Sequence, residues 1–160
     1  MKTTLPPLII DSREPETIQY EFMNKAKDDP ELFVLVRACE TGDYVNPSMV
    51  LERKTMDDFV SSMTGNYIRK DGTVYERLES QLERILAHPV SVKVLLIIGD
   101  IKSAFSRIHP NSVRGMIAKI ISLGITVLWV MDGEDWVDLV IRLHKKVLKY
   151  CKERDIDVEI

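Results

Sequence analysis

"GDYVNPSMVLERKTMDDF", Gly42 to Phe59, is the stretch on which the reading of this chain turns. Two short runs rich in aliphatic and β-branched residues flank Asn46-Pro47-Ser48, a combination that favours a turn. Strands joined so tightly are antiparallel neighbours. Asp43 opens the first strand and Glu52 lies near the end of the second, so hairpin pairing brings these acids to one end of the hairpin. Strand side chains alternate between faces, which puts Glu52 and Lys54 together and turns Arg53 the other way. Two carboxylates at close range repel one another. A hard divalent cation such as Mg²⁺ removes that cost by taking oxygen ligands from both. Such a cation would also polarise a phosphodiester and lower the pKa of water, and Lys54 could orient or deprotonate that water. Arg53 could reach a phosphate with its bidentate fork. The alternative reading of these residues is a solvated hairpin edge carrying a Glu–Lys pair.

The flanking sequence extends this into an α/β order. "PLIID" (Pro7 to Asp11) reads as a buried strand ending in an acid. "PETIQYEFMNKAK" follows as a helix with Pro15 at its start and Ile18, Phe22 and Met23 at helical spacing. Strands are expected at about Phe33 to Ala38, Asp43 to Val45 and Met49 to Arg53, forming an antiparallel meander. Thr55 and Asp58 stand at capping-box spacing for the next helix, and Asp57 reads as solvent-facing. A polar loop covers Thr64 to Val74. "YERLESQLERILAH" gathers Leu78, Leu82, Ile85 and Leu86 on one face. "VKVLLIIG" has the near-continuous apolar character of a central parallel strand. "HPNSVRGMIAKIISLG" is a helix capped by Asn111 or Ser112 and stopped at Gly124. "ITVLWVM" reads as another buried strand. A long amphipathic helix from Glu134 to Lys149 carries acids first and cations last, as the helix dipole favours. Strands and helices in this order imply a three-layer α/β domain with a mixed sheet and a ligand site beyond the strand ends.

The chain has 160 residues, 45% hydrophobic and 29% charged, with a net charge of −3 at pH 7. This size suits one domain. The charge argues against non-specific nucleic-acid binding through an all-basic surface, but leaves room for a local basic site. No apolar run reaches membrane-span length, and "MKTTLPPLIID" lacks the apolar core of a signal peptide. Cys39 and Cys151 match no metal spacing and read as reduced thiols of an intracellular protein, with His109 and His144 structural.

The central motif, a Gly-Asp turn followed by Glu-Arg-Lys, three residues and Asp, resembles that of the XPF-type structure-specific endonuclease family. "IIDSRE" (Ile9 to Glu14) resembles its opening strand with Asp-X-Arg-Glu. "RLESQL" (Arg77 to Leu82) is similar to its Arg-Leu-X-X-Gln helix, and "NSVRGMIAKIISLGITVLWV" to its later helix and strand. The likeness runs from about Leu8 to Lys149.

The resemblance implies a restriction-endonuclease-like nuclease fold with a central mixed β-sheet flanked by helices, and a Mg²⁺- or Mn²⁺-dependent endonuclease acting on flap, fork or branched DNA. Asp43 and Glu52 would hold the metal, with Asp11 and Glu14 flanking it. Lys54 would act on the attacking water, and Asp58 would hold Arg53, Lys54 or the following helix. Arg13, Arg53 and Arg77 would bind phosphates or orient the acids. Tyr67, Arg69 and Lys70, in the loop, could track a DNA strand or stack on a base.

The pattern departs from the family at Gly99-Asp100, where an acid is missing or displaced. No tandem helix-hairpin-helix module is recognisable in residues 1–160, so a partner subunit would supply that DNA contact. A homodimer is the other expectation, to which an exposed Trp136 and Ile141 would point. A junction resolvase of the same broad fold and a catalytically silent DNA-binding or dimer-partner module are the rival readings.

Overall fold

Residues 5–64, 72 and 77–154 are described by the structure, a computed structural model, with the last four of these as backbone only. The elements are β1 (Leu8–Asp11), α1 (Glu16–Lys27), β2 (Val34–Arg37), β3 (Tyr44–Asn46), β4 (Met49–Thr55), α2 (Met56–Thr64), α3 (Leu78–Ala87), β5 (Val92–Ile98), α4 (Ile101–Ala104), α5 (Pro110–Ser122), β6 (Thr126–Val130) and α6 (Trp136–Arg154). Their strands form one mixed six-stranded sheet in the order β2-β1-β3-β4-β5-β6. The chain divides into two compact units, the boundary falling inside β4 between Leu51 and Glu52.

The first unit holds β1 to β3, the start of β4, α1 and α6. Leu8, Ile10, Phe22, Tyr44, Met49, Val50 and Leu51 are fully buried. The Phe22 ring lies 5.0 Å from that of Tyr44 and 6.1 Å from that of Trp136, and Tyr44 and Trp136 meet edge-on at 6.0 Å. These three aromatics join α1, β3 and α6 into one packed group, a geometry that adds to simple area burial. Two ion pairs reinforce the α1 side: Lys25 with Asp135 at 3.0 Å, and Lys145 with Asp29. The Lys145 hydrogen bond holds the Asp29 carboxyl below its ordinary pKa.

Asn46 ends β3 in the core, where its Nδ2 donates to Nδ1 of the fully buried His144 (3.0 Å) while its Oδ1 accepts from Ser48 N–H (2.8 Å). The amide can only donate to the ring, so His144 carries its proton on Nε2. Burial, then the Lys145 charge, push the His144 pKa down to about 4. The nearby Pro6 carbonyl pulls upward only weakly, and Nε2 closes no hydrogen bond of full geometry.

The second unit holds the rest of β4, α2 to α5, β6 and most of β5. β5 and β6 run parallel, from Val94 opposite Thr126 to Ile98 opposite Val130. Phe59, Leu78, Ile85, Leu95, Leu96, Val113 and Ile120 fill its core. Leu78, Leu82 and Ile85 bury one face of α3, as their spacing predicts, with Gln81 buried too and Leu86 only half-buried.

Several sequence expectations need correction. β2 does not belong to a meander. It pairs parallel with β1, Leu8 opposite Val34, because α1 serves as the crossover between them, and β3 pairs with the other side of β1. β6 is an edge strand and only partly buried. α5 is capped by His109, whose Nδ1 accepts from Asn111 N–H (3.1 Å), with Pro110 in the first turn. Trp136 is half-buried against Phe22 and Tyr44, and Ile141 is buried, so neither is the exposed surface that a dimer was expected to use. α4 was not foreseen. Of the expected Thr64 to Val74 loop, only Thr64 and Gly72 lie among the described residues.

The turn into β3 depends on Gly42. Its φ is +82°, and a Cβ there would lie 2.5 Å from Cγ2 of the fully buried Val50. Both the backbone strain and the overpacking oppose any side chain. Gly42→Ala is expected to destabilise the protein by about 3 kcal/mol, read as a lower urea midpoint with an unchanged slope.

His144 gives a pH signature. It is neutral in the folded state down to pH about 4, whereas an unfolded histidine takes up a proton below about 6.5. Stability should therefore be intact above that value and fall between pH 6.5 and 4, by up to about 3 kcal/mol, levelling off below. Urea midpoints at several pH values should show this slope in the native protein and lose it in His144→Gln.

Candidate active site

β1, β3 and β4 stay in register past the end of their ladder. Asp11 N–H donates to Asp43 O (2.8 Å), and Asp43 N–H donates to Leu51 O (2.8 Å). The ladder preceding them pairs Ile10 with Tyr44 and Tyr44 with Leu51. The candidate residues fall into two groups, one in each unit.

In the first unit, Asp11 ends β1 and Asp43 directly precedes its neighbour β3. Asp11 is buried: its Oδ2 accepts from Arg13 Nε (2.9 Å) and its Oδ1 from Cys39 N–H (3.2 Å). Arg13 also donates through Nη2 to Cys39 O (2.7 Å), so one guanidinium ties the end of β1 to the segment after β2. A buried carboxylate needs such partners to stay charged. The Arg13 side chain remains 72% exposed, leaving the outer part of its fork toward solvent. Glu14 is buried, its N–H closing a turn on Asp11 O (3.0 Å). Asp43 is half-buried.

Cys39 was read only as a reduced thiol, and its place beside the acids emerges from the structure. Burial raises its pKa, and the negative charges of Asp11 and Asp43 add to that against Arg37 and Arg13. The thiol is therefore held protonated and is a poor nucleophile. Nothing in the sequence pattern signals this, because Cys39 meets Asp11 across 28 residues of chain.

The second unit begins at Glu52. Along β4 the burial runs from three buried apolar residues to half-buried Glu52 and Arg53, then buried Lys54 and exposed Thr55. Lys54 is only 7% exposed. Alternation sets Glu52 and Lys54 on one face of the strand, as the sequence implied. Thr55 Oγ1 then accepts from Asp58 N–H (3.1 Å), the forward half of a capping interaction that starts α2. Asp57 is exposed and pairs with Arg107 (3.1 Å). Arg77 is exposed at the start of α3. Tyr67, Arg69 and Lys70 lie outside the described residues.

The Gly99-Asp100 departure acquires a physical cause. Gly99 has φ +134°, and a Cβ would stand 2.9 Å from Met56 Cβ, so an acid cannot replace it without displacing the start of α2. Its carbonyl accepts from Trp129 Nε1 (2.8 Å). Asp100 caps α4, accepting from Lys102 N–H (2.9 Å). Its carboxylate is engaged in that local turn.

Among the described residues no group of three or more His, Cys, Asp and Glu side chains stands ready to hold a metal, and no helix is long and apolar enough to cross a membrane.

Residues 10–143 match the ERCC4 domain. A protein of Methanocaldococcus jannaschii, provisionally named as an ATP-dependent RNA helicase, is 34% identical over 113 residues, which are 69% of this chain and 13% of that protein. The backbone is similar to XPF from Aeropyrum pernix in complex with DNA (TM-score 0.67, 19% identity, 92% of this chain and 66% of that one). It is likewise similar to XPF from Aeropyrum pernix alone (TM-score 0.68, 20% identity, 88% of this chain and 60% of that one). The chain thus spans about two thirds or less of the proteins it resembles. The fold is the restriction-endonuclease-like α/β arrangement of those nuclease domains. With the match covering most of its length, the chain belongs to the ERCC4-domain family.

Proposed function

We propose that the chain is a metal-dependent DNA endonuclease that hydrolyses phosphodiesters in flap, fork or branched DNA. The observation that carries this reading is Lys54. Lysine is almost never fully buried unless it is paired, and a solvated hairpin edge would leave it in water. Here it is 7% exposed, two residues past Glu52 on a strand whose partner, β3, starts directly after Asp43. The family match supports the reaction class. The related XPF in complex with DNA supports the substrate.

The donor chemistry suits a hard cation. Asp43, just before Tyr44, and Glu52, just after Leu51, offer carboxylate oxygens, the ligand type that Mg²⁺ and Mn²⁺ prefer. Asp11 already accepts from Arg13 and Cys39. Its natural part is to supply negative charge and hold Arg13 at the edge of the site, with a second lone pair on each oxygen left for a ligand or water. When bound, the cation supplies Lewis-acid polarisation of the phosphodiester.

The chain's own groups do the rest. Lys54 Nζ positions the attacking water and takes or returns its proton. Arg13, with its exposed fork, and Arg53 and Arg77 hold phosphate oxygens. Glu14 adds negative charge next to Asp11, and Asp58 fixes the start of α2 behind the Glu-Arg-Lys run. Tyr67, Arg69 and Lys70 follow the DNA strand leading away. A partner subunit contributes further DNA contacts.

With Mg²⁺ or Mn²⁺ and end-labelled flap, fork and four-way junction DNA, native protein should cleave. Asp43→Asn and Lys54→Ala should each lower the rate at least 100-fold, the scale of one general acid–base group or more, with thermal melts showing the fold retained. Chelation should abolish cleavage in all samples. Cleavage surviving in the purified double variant would remove these residues from the site. Metal-dependent binding of branched DNA without cleavage by the native protein would identify a silent binding module.

A further inference from the structure

Gly99 leaves the end of β5 without an acid, and a carboxylate from another strand stands beside the gap. A side chain at Gly99 would start against Met56, and the nearest atom beyond those of Met56 is Oδ2 of Asp132, 3.9 Å from the position of that Cβ. A glutamate carries its carboxylate oxygens nearly this far from its own Cβ in ordinary rotamers. Asp132 thus brings a carboxylate oxygen close to the reach of an acid that Gly99 cannot carry.

The route to this place is β6. Ile98 lies opposite Val130 in the parallel ladder, Gly99 N–H donates to Val130 O (2.9 Å), and Trp129 Nε1 donates to Gly99 O (2.8 Å). The chain leaving β6 therefore passes directly beside Gly99. A tight turn holds it there: Met131 N–H donates to Oε2 of Glu134 (2.8 Å), Glu134 N–H donates to Met131 O (3.3 Å), and Gly133 takes a φ of +85°. Asp132 is exposed, and among the described residues no hydrogen bond or ion pair engages its carboxylate. The carboxylate of Asp100, by contrast, is spent on capping α4.

The gap opens on the side that matters. Met56 follows Lys54 by two residues, the interval at which side chains leaving a strand return to one face. Met56, and the Gly99 position it abuts, therefore continue the face of Glu52 and Lys54. Glu52, Lys54, Met56, Gly99 and Asp132 all belong to the second unit. We propose that Asp132 is a positioning residue of the proposed active site. Its carboxylate, delivered from β6, accepts hydrogen bonds from water held on the Glu52–Lys54 face and so strengthens the binding of a divalent cation from outside its direct ligands. This rests on the cation site proposed above and adds a residue to it. The competing role is structural: a negative charge near the start of α2 favours that helix's dipole, which would change stability and leave cation affinity alone.

Titration calorimetry of Mn²⁺ into the protein without DNA separates the two. Asp132→Asn should bind Mn²⁺ at least about tenfold more weakly than native protein, the scale on which groups behind the direct ligands tune a metal site. Asp132→Glu should recover most of that affinity. Asp100→Asn, which keeps a capping side chain, should bind as native protein does. In cleavage assays the Mn²⁺ concentration for half-maximal rate should rise with Asp132→Asn by the same factor, while the rate at saturating Mn²⁺ stays close to native. Equal Mn²⁺ affinity in native protein and Asp132→Asn, or an equal loss in Asp100→Asn, would overturn this inference and leave the proposed reaction standing. Native protein that binds no Mn²⁺ would overturn both.

Discussion

The register of β1, β3 and β4 at their shared end is the constraint on which the rest depends. A strand that slips by one residue turns every side chain to the other face. A slip in β4 would exchange the Glu52–Lys54 face with that of Leu51 and Arg53. The hairpin is pinned at both ends against this. At one end Gly42 takes a positive φ, with Val50 occupying the space a side chain would need. At the other, Asn46 folds its carbonyl onto Ser48 N–H and gives its amide to His144. His144 comes from α6, so the same helix that closes the aromatic core through Trp136 also fixes the turn. Each bond is modest alone. Together they set a parity, and that parity is what the candidate chemistry needs.

Much of this was legible in the sequence because the signals are local. The Gly-Asp turn, the Asn-Pro-Ser connection and the alternation through Glu52, Arg53 and Lys54 are read within a dozen residues, and Thr55 caps α2 as its spacing from Asp58 implies. The face of α3 and the parallel run of β5 follow from hydrophobic period alone. What escaped depends on contacts distant in the chain. β2 looked like part of a meander because its alternation says that it is a strand, not which strand it joins. The crossover through α1 decides that. β6 is apolar like a central strand, yet stands at an edge. Trp136 has the composition of an interface residue, and its true environment is made by Phe22 and Tyr44. Arg13 was read as binding phosphates or orienting the acids; it does bond Asp11, and the partner that escaped is the backbone of Cys39.

The site residues have a related division. Asp11 and Glu14 are buried on one unit and Lys54 on the other, and an ionised group removed from water must find compensating charge or hydrogen bonds. For Asp11 those partners are explicit. Replacing a buried pair as a whole by apolar groups would in general cost little or even stabilise, whereas removing one partner leaves the other uncompensated. Cys39 serves as a counterexample within the same few ångströms: its thiol is driven toward the neutral form, and its contribution is the backbone that holds Asp11 and Arg13.

The overall charge of −3 narrows how DNA could be bound. Affinity built from many phosphate contacts needs an excess of cations and grows with each counterion released. This chain has 22 basic against 25 acidic residues, so a broad attractive field is absent. Recognition by the proposed enzyme must then concentrate where cations are held in place, at Arg13 on its Asp11 anchor and in the Glu-Arg-Lys run of β4. Under that proposal the site would grip a few phosphates at the reacting position and little beyond it.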